Sequence, residues 1–248
     1  MRTISVINLK GGVGKTTTSI NMATLLANRW GKRVLLIDND KQGNTSQFFG
    51  KYIKEATCGS SRILQDEEPV IWITNQGLDL INANMTLESA EISLLKSDER
   101  QDDRFRRFLE KKAPEYDFCI IDNPPAVGMC VINALCASDE VIVPVKLDNW
   151  ALDGTEMITD TIEQLKALNK DLKQISVLIT NYEKSTENEA AEEWLRKNCQ
   201  SRVFEAKIRH SKKVDSATYY KEPLDRFSKM CAAAVDYRKF VKEYLGKE

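Results

Sequence analysis

The chain has 248 residues, of which 42% are hydrophobic and 29% charged, with 11 Gly, 6 Pro and a formal charge of −1. That length holds one large domain or two small ones, and the composition excludes collagen-like, disordered and low-complexity classes. The apolar runs are a few residues long, far short of the ~20 that span a bilayer, and residues 1–6 lack the apolar core of a signal peptide, so a cytoplasmic protein is predicted.

In chain order, short β-branched runs at 4–8, 33–38, 70–74, 78–81, 117–122, 140–145 and 175–180 predict strands. Between most of them, apolar residues recur at three- and four-residue spacing, as in Ile20, Ala23, Ala27 and Trp30, in Ile158, Ile162, Leu165 and Leu168, and in Trp194 with Leu195. That period predicts helices. The alternation predicts an α/β fold, a doubly wound, mostly parallel sheet with helices on both faces. Runs such as Val34–Ile37, apolar at successive positions, fit strands buried on both sides. With no linker rich in Pro, Gly or Ser and no internal repeat, a single domain over residues 1–248 is expected. The six cysteines (58, 119, 130, 136, 199 and 231) form no C-x-x-C pair and no cluster with histidine, so buried free thiols are expected rather than zinc ligands or disulfides.

The first strand runs into Leu9-Lys10-Gly11-Gly12-Val13-Gly14-Lys15-Thr16-Thr17, and a helical pattern starts at once. A strand that ends in a glycine-rich turn and opens a helix aims several backbone N–H groups and the helix N-terminus at one point, where an anion is favoured. Gly11, Gly12 and Gly14 allow the backbone to approach closely. Lys15 can then reach β- and γ-phosphates and the Thr16 hydroxyl can ligate Mg²⁺. A ligand-free turn would leave the Lys-Thr pair after the last glycine unexplained.

Three carboxylates close predicted strands, where ligands bind in open α/β sheets. Asp38 and Asp40 follow Val34-Leu35-Leu36-Ile37, and Asp122 follows Phe118-Cys119-Ile120-Ile121. A carboxylate after four apolar residues has no partner in a core but has one at a sheet edge that faces Mg²⁺ or its waters. Any one of them taken alone could equally cap a helix or a turn.

The form K-G-G-x-G-K-T at Lys10–Thr16 is a deviant Walker A loop, and there the chain resembles the ParA/MinD family of P-loop ATPases, most of all the ParA/Soj-type partition proteins. The resemblance implies that Lys10 reaches across an ATP-dependent homodimer to the partner's nucleotide. It implies that Lys10 to Thr17, Val13 among them, bind ATP and that Asp122 is the Walker B aspartate. It further implies that Asp38-x-Asp40-x-Gln42-Gly43-Asn44 is similar to the family's D-x-D-P-Q-G-N stretch, in which the second aspartate positions the attacking water. Catalysis would then fall to Lys10, Lys15 and Asp40, and Mg²⁺ to Thr16, Asp38 and Asp122. Lys41 stands where that stretch has Pro, and Asn123 stands where the usual D-T-P-P has Thr; neither change removes a charge that the chemistry needs. Residues 138–145 and 150–154 are similar to the family's A-D-E-V-I-I-P-V strand and Y-x-A-L-x-G helix start. Asn181 stands at a strand end where relatives hold adenine, although an asparagine there also suits a turn.

Within the family, partition members bind DNA non-specifically as ATP dimers on the nucleoid and are released when a ParB-like partner stimulates hydrolysis. Residues 196–221 carry +6 and the remainder −7. Arg196, Lys197, Arg202, Arg209, Lys212 and Lys213 could neutralise DNA phosphates without reading bases; a solvated basic face is the plainer alternative. The lone His210 reads as a phosphate-side or surface residue. The chain starts with the first strand, so no N-terminal helix-turn-helix domain and no operator binding are expected.

A MinD-like membrane-associated positioning ATPase is the alternative function, and it would need an amphipathic C-terminal helix. Phe240, Val241, Tyr244 and Leu245 make an apolar stripe there, expected to dock on the sheet, so no stable membrane association is expected. The iron–sulfur reductases that share this loop bridge a cluster with paired cysteines. Cys130 and Cys136 fall on a predicted helix, where core packing is expected.

Overall fold

A computed structural model describes residues 1–96, 101–147, 167, 169 and 172–246. Among the described residues eight strands form one sheet in the order β3-β4-β2-β5-β1-β6-β7-β8. They are β1 (Arg2–Val6), β2 (Val34–Asp38), β3 (Trp72–Ile73), β4 (Asp79–Ile81), β5 (Phe118–Asp122), β6 (Glu140–Lys146), β7 (Gln174–Thr180) and β8 (Arg202–Val203). All neighbours run parallel except β3, which is antiparallel to β4. The helices are α1 (Lys15–Trp30), α2 (Asn44–Phe48), α3 (Gly59–Leu64), α4 (Thr86–Leu95), α5 (Arg104–Lys112), α6 (Met129–Cys136), α7 (Thr186–Asn198), α8 (Lys213–Tyr219), α9 (Leu224–Phe227) and α10 (Ala232–Tyr244).

Successive strand residues face opposite sides, and each side has its own core. Val34, Leu36, Ile4, Val6 and Ile120 pack with Met22, Ala23 and Leu26 of α1 and with Tyr237, Phe240 and Val241 of α10. Leu35, Ile37, Cys119 and Ile121 pack on the other side with α3 to α6. Beyond them, Ile7, Val143, Val177 and Ile179 pack with Leu135 of α6 and with Ala191 and Leu195 of α7. The expected α/β architecture is therefore present. Phe240 and Val241 are fully buried and Tyr244 nearly so, so the C-terminal stripe is docked as expected. Cys130 and Cys136 lie on α6, Cys130 in the core.

Two strand expectations change. The run at 70–74 yields only Trp72–Ile73, because Thr74 turns back, its hydroxyl donating to the Leu78 carbonyl at 2.7 Å. The two-residue strand β8 has no run of its own; it exists because Phe204 and Ile208 are drawn into the core beneath β7. The stripe Ile158, Ile162, Leu165 and Leu168 and the stretch 150–154 lie outside the described residues. Among the described residues no helix is long and apolar enough to cross a membrane.

Candidate nucleotide and magnesium site

The carboxyl ends of the central strands open onto a cleft of about 500 Å³, lined by Gly11, Gly12, Gly14–Thr17, Asp40, Asn44, Pro125, Thr180, Asn181 and residues 208–211. The loop between β1 and α1 forms its floor. Gly12 and Gly14 have φ of 73° and 84°, a left-handed backbone that a side chain would strain. Gly11 and Gly12 have open space where a Cβ would stand. No side chain caps the first turn of α1, so its N–H groups remain available to an anion.

The loop is anchored from beneath. The Asn8 side chain donates to the Pro144 carbonyl at 2.8 Å and accepts from the Lys10 amide at 2.9 Å. The Thr180 hydroxyl donates to the Val13 carbonyl at 2.7 Å. The ties from Asn8 to Pro144 and from Thr180 to Val13 each span more than a hundred residues, so sequence order does not single out Asn8 and Thr180. Lys15 is buried and its Nζ donates to the Lys10 carbonyl at 3.0 Å. Burial lowers its pKa, and the nearby Asp122 and Asp40 carboxylates oppose that shift.

Asp38 and Asp122 end β2 and β5 side by side in register, both fully buried. Asp38 accepts from the Ser46 amide and hydroxyl, each at 2.7 Å, and from the Asp40 amide at 3.2 Å. Asp122 accepts from Ser19 at 3.0 Å and Thr45 at 2.7 Å, and the Thr16 hydroxyl also stabilises its charge. Burial, reinforced by Asp122, pushes Asp38 up to about 8. Burial likewise pushes Asp122 up to about 6 against the pull of those hydroxyls.

Two buried carboxylates without an ion pair among the described residues are a setting that a divalent cation relieves. Thr16 and Asp122 fit Mg²⁺ in donor type, whereas the Asp38 oxygens are already turned toward the segment that carries Asp40. Among the described residues no three-ligand metal cluster exists; Mg²⁺ bound with phosphates and water needs none.

The remaining predicted residues fall in three places. Asp40 lines the cleft, and its carboxylate accepts from the Gln42 amide at 2.9 Å. Asn123 is buried, accepting from Asn39 at 2.9 Å, so it joins the ends of β2 and β5. Asn181 follows β7 with φ of 50° and its Oδ1 lies 2.6 Å from His210 Nδ1 at the cleft wall. His210 is thus a cleft residue, a position that its isolation in sequence concealed.

Of the six basic candidates, Arg196 is bound to Glu192 and Glu205, Arg202 to Glu243, and Arg209 to Asp236. Lys197, Lys212 and Lys213 are exposed and carry no ion pair among the described residues.

A glycine-rich loop between strand and helix, a lysine folded over it and a carboxylate on the neighbouring strand end define a P-loop nucleotide-binding protein. Residues 1–174 match a family described as an AAA domain. The chain is 36% identical to the sporulation initiation inhibitor protein Soj of Bacillus subtilis, over 97% of this chain and 96% of that one. It is 33% identical to the chromosome partitioning protein ParA of Caulobacter vibrioides, over 100% and 95% respectively. Its fold matches the crystal structure of cobyrinic acid a,c-diamide synthase from Mycobacterium smegmatis with bound ATP analog and magnesium. That match has a TM-score of 0.82 and 28% identity, and it covers 99% of this chain and 94% of the other. The chain belongs to the ParA/MinD family of partition ATPases.

Proposed function

We propose that this protein is a partition ATPase that binds ATP with Mg²⁺, pairs with a second copy, holds DNA without sequence preference and lets go when a ParB-like partner stimulates hydrolysis. It acts as a single domain in the cytoplasm, on the nucleoid. The observation that carries this reading is the meeting of the uncapped α1 N-terminus, Lys15, Thr16 and Asp40 at one cleft, with the Asp38–Asp122 pair buried at the adjoining ends of β2 and β5. The Mycobacterium smegmatis structure, solved with an ATP analog and magnesium, supports the same ligands here.

In this reading the Gly11–Thr17 amides and Lys15 hold the β- and γ-phosphates, and Asn181, positioned by His210, meets the adenine. Thr16 and Asp122 would hold Mg²⁺ and its water shell, while Asp38 fixes the turn that carries Asp40. The cation, when bound, neutralises charge on the phosphates. Asp40 orients a water whose oxygen bonds to the γ-phosphorus as the bond to ADP breaks; the products are ADP and phosphate. Positioning and charge neutralisation suffice for this chemistry. Lys10, exposed at the mouth of the loop, extends to the nucleotide of the second copy. Lys197, Lys212 and Lys213 are the cations of the basic segment best disposed to meet phosphates.

The test measures ATP hydrolysis and binding to random-sequence DNA without nucleotide, with ADP and with ATP plus Mg²⁺, at two salt concentrations. Salt-sensitive binding with ATP alone is expected. Hydrolysis without DNA binding in any state would leave the nucleotide site standing and remove the DNA reading.

A further inference from the structure

The turn that carries Asp40 is clamped at its far end. The Gly43 amide donates to the Asp40 carbonyl at 2.8 Å. A Cβ at Gly43 would stand 2.5 Å from the Tyr52 ring and 2.8 Å from the Ala83 carbonyl, so the backbone is pressed against both. On its outer side Lys41 reaches α4, where its Nζ lies 2.6 Å from Glu88 Oε1. One turn further along α4, Glu91 Oε1 accepts from the Cys130 amide at 2.8 Å, in the first turn of α6. A Cβ at Gly128 would stand 2.6 Å from the same oxygen. Residues three apart share a helix face, so one face of α4 holds both the segment after β2 and the segment after β5. The helix itself is fixed by Leu87, Ala90 and Leu94 in the core.

We propose that Lys41 is a positioning residue for ATP hydrolysis, its ion pair with Glu88 holding the Asp40 turn against α4. This rests on the reading of Asp40 as the residue that orients water. Where the related D-x-D-P-Q-G-N stretch has proline, the ring restrains the backbone next to the second aspartate. Lysine leaves that backbone free, and the tether to α4 supplies a restraint from outside. The pair is roughly half exposed, so its influence is bounded. It acts on the fraction of molecules with Asp40 in place, and neither side chain lines the nucleotide cleft.

The test compares steady-state ATP hydrolysis and separately measured ATP affinity for the wild type, Lys41→Met, Glu88→Gln, Lys41→Arg and the charge-swapped double variant Lys41→Glu/Glu88→Lys. Each neutralising variant is expected to lose two- to fivefold in kcat, up to about 1 kcal/mol at 1.36 kcal/mol per factor of ten. KM and ATP affinity should stay within twofold. The swapped pair should recover most of kcat, and Lys41→Arg should keep it, which preserves the test should the double variant fold poorly. Neutralising variants with wild-type kcat, a raised KM at unchanged kcat, or an arginine variant as slow as Lys41→Met would each overturn the proposal. A wild type that binds ATP but does not hydrolyse it would instead overturn the underlying reading of Asp40.

Discussion

Arg209 is clasped by Asp236, whose carboxylate accepts from the Arg209 amide at 3.0 Å, Nε at 2.7 Å and Nη2 at 2.8 Å. Asp236 is nearly fully buried on α10, so this contact pins the loop that walls the cleft to the C-terminal helix. The next hydrogen bonds on that loop run from the His210 amide to the Tyr182 carbonyl and from the Tyr182 amide to the Ile208 carbonyl, each at 2.9 Å. Arg209 is therefore part of the wall's frame. Asp236→Ala should cost about 1.5–3 kcal/mol, the range for hydrogen bonds to a charged group. A chain of this size melts roughly 2–4 °C lower per kcal/mol lost. Thermal unfolding of the variant checks this, with weakened ATP binding expected alongside; an unchanged melting temperature would count against the clasp.

Lys212 and Lys213 differ from Arg209 in having no carboxylate partner among the described residues. The Lys212→Ala/Lys213→Ala protein should melt as the wild type does. Its DNA binding should weaken to the same degree for every sequence, because phosphate contacts carry no base information. Removing two such contacts should also flatten the plot of log affinity against log salt by about two. DNA titrations at three salt concentrations measure both effects, and unchanged affinity would move the DNA surface away from this loop.

Much of the site was legible because its residues are adjacent in sequence. Lys10 to Thr17 announce themselves by order alone, and Asp38 and Asp122 stand out as charges closing apolar runs. What sequence could not supply was registration between distant segments. Ser19 and Thr45 meet Asp122 from two different helices, and Thr180 supports Val13 across the sheet. The ion pairing of the basic segment was hidden for a related reason. Counting charges between residues 196 and 221 leaves out Glu192, Asp236 and Glu243, which lie outside that window and occupy three of its arginines. The strand β8 was missed because two residues carry no period.

The pH dependence of stability can be tested away from the site. Arg33, just before β2, donates from its amide and its guanidinium to Asp117, just before β5, each at 2.9 Å. These contacts hold the Asp117 carboxyl down at about 2, whereas in the unfolded chain it titrates near 4. A depressed folded pKa means that the contribution is complete above about pH 4 and fades as pH falls toward 2. Asp117→Asn should therefore lower the melting temperature at pH 7, close about half of the gap to wild type by about pH 3 and close most of it only near pH 2. Melting curves across that range decide it, and a gap independent of pH would show that Asp117 acts without its charge.

Lys15 and Asp40 separate binding from chemistry. Lys15 is buried against the loop with its charge supported by Asp122 and Asp40, so Lys15→Ala removes a cation at the phosphate cradle and should abolish ATP-dependent behaviour. Asp40→Ala leaves the cradle, Thr16 and Asp122 intact. It removes a carboxylate that lines the cleft, so ATP binding should persist while hydrolysis falls by 100-fold or more, about 2.7 kcal/mol at 1.36 per factor of ten. With the nucleotide no longer consumed, the paired state should accumulate. Sedimentation with ATP and Mg²⁺ should find Asp40→Ala as a stable dimer, Lys15→Ala as a monomer and the wild type shifting between the two as ATP is spent. If Asp40→Ala turned over ATP at the wild-type rate, the water would have to be positioned by another group, and Asn44, which also lines the cleft, would be the next residue to replace.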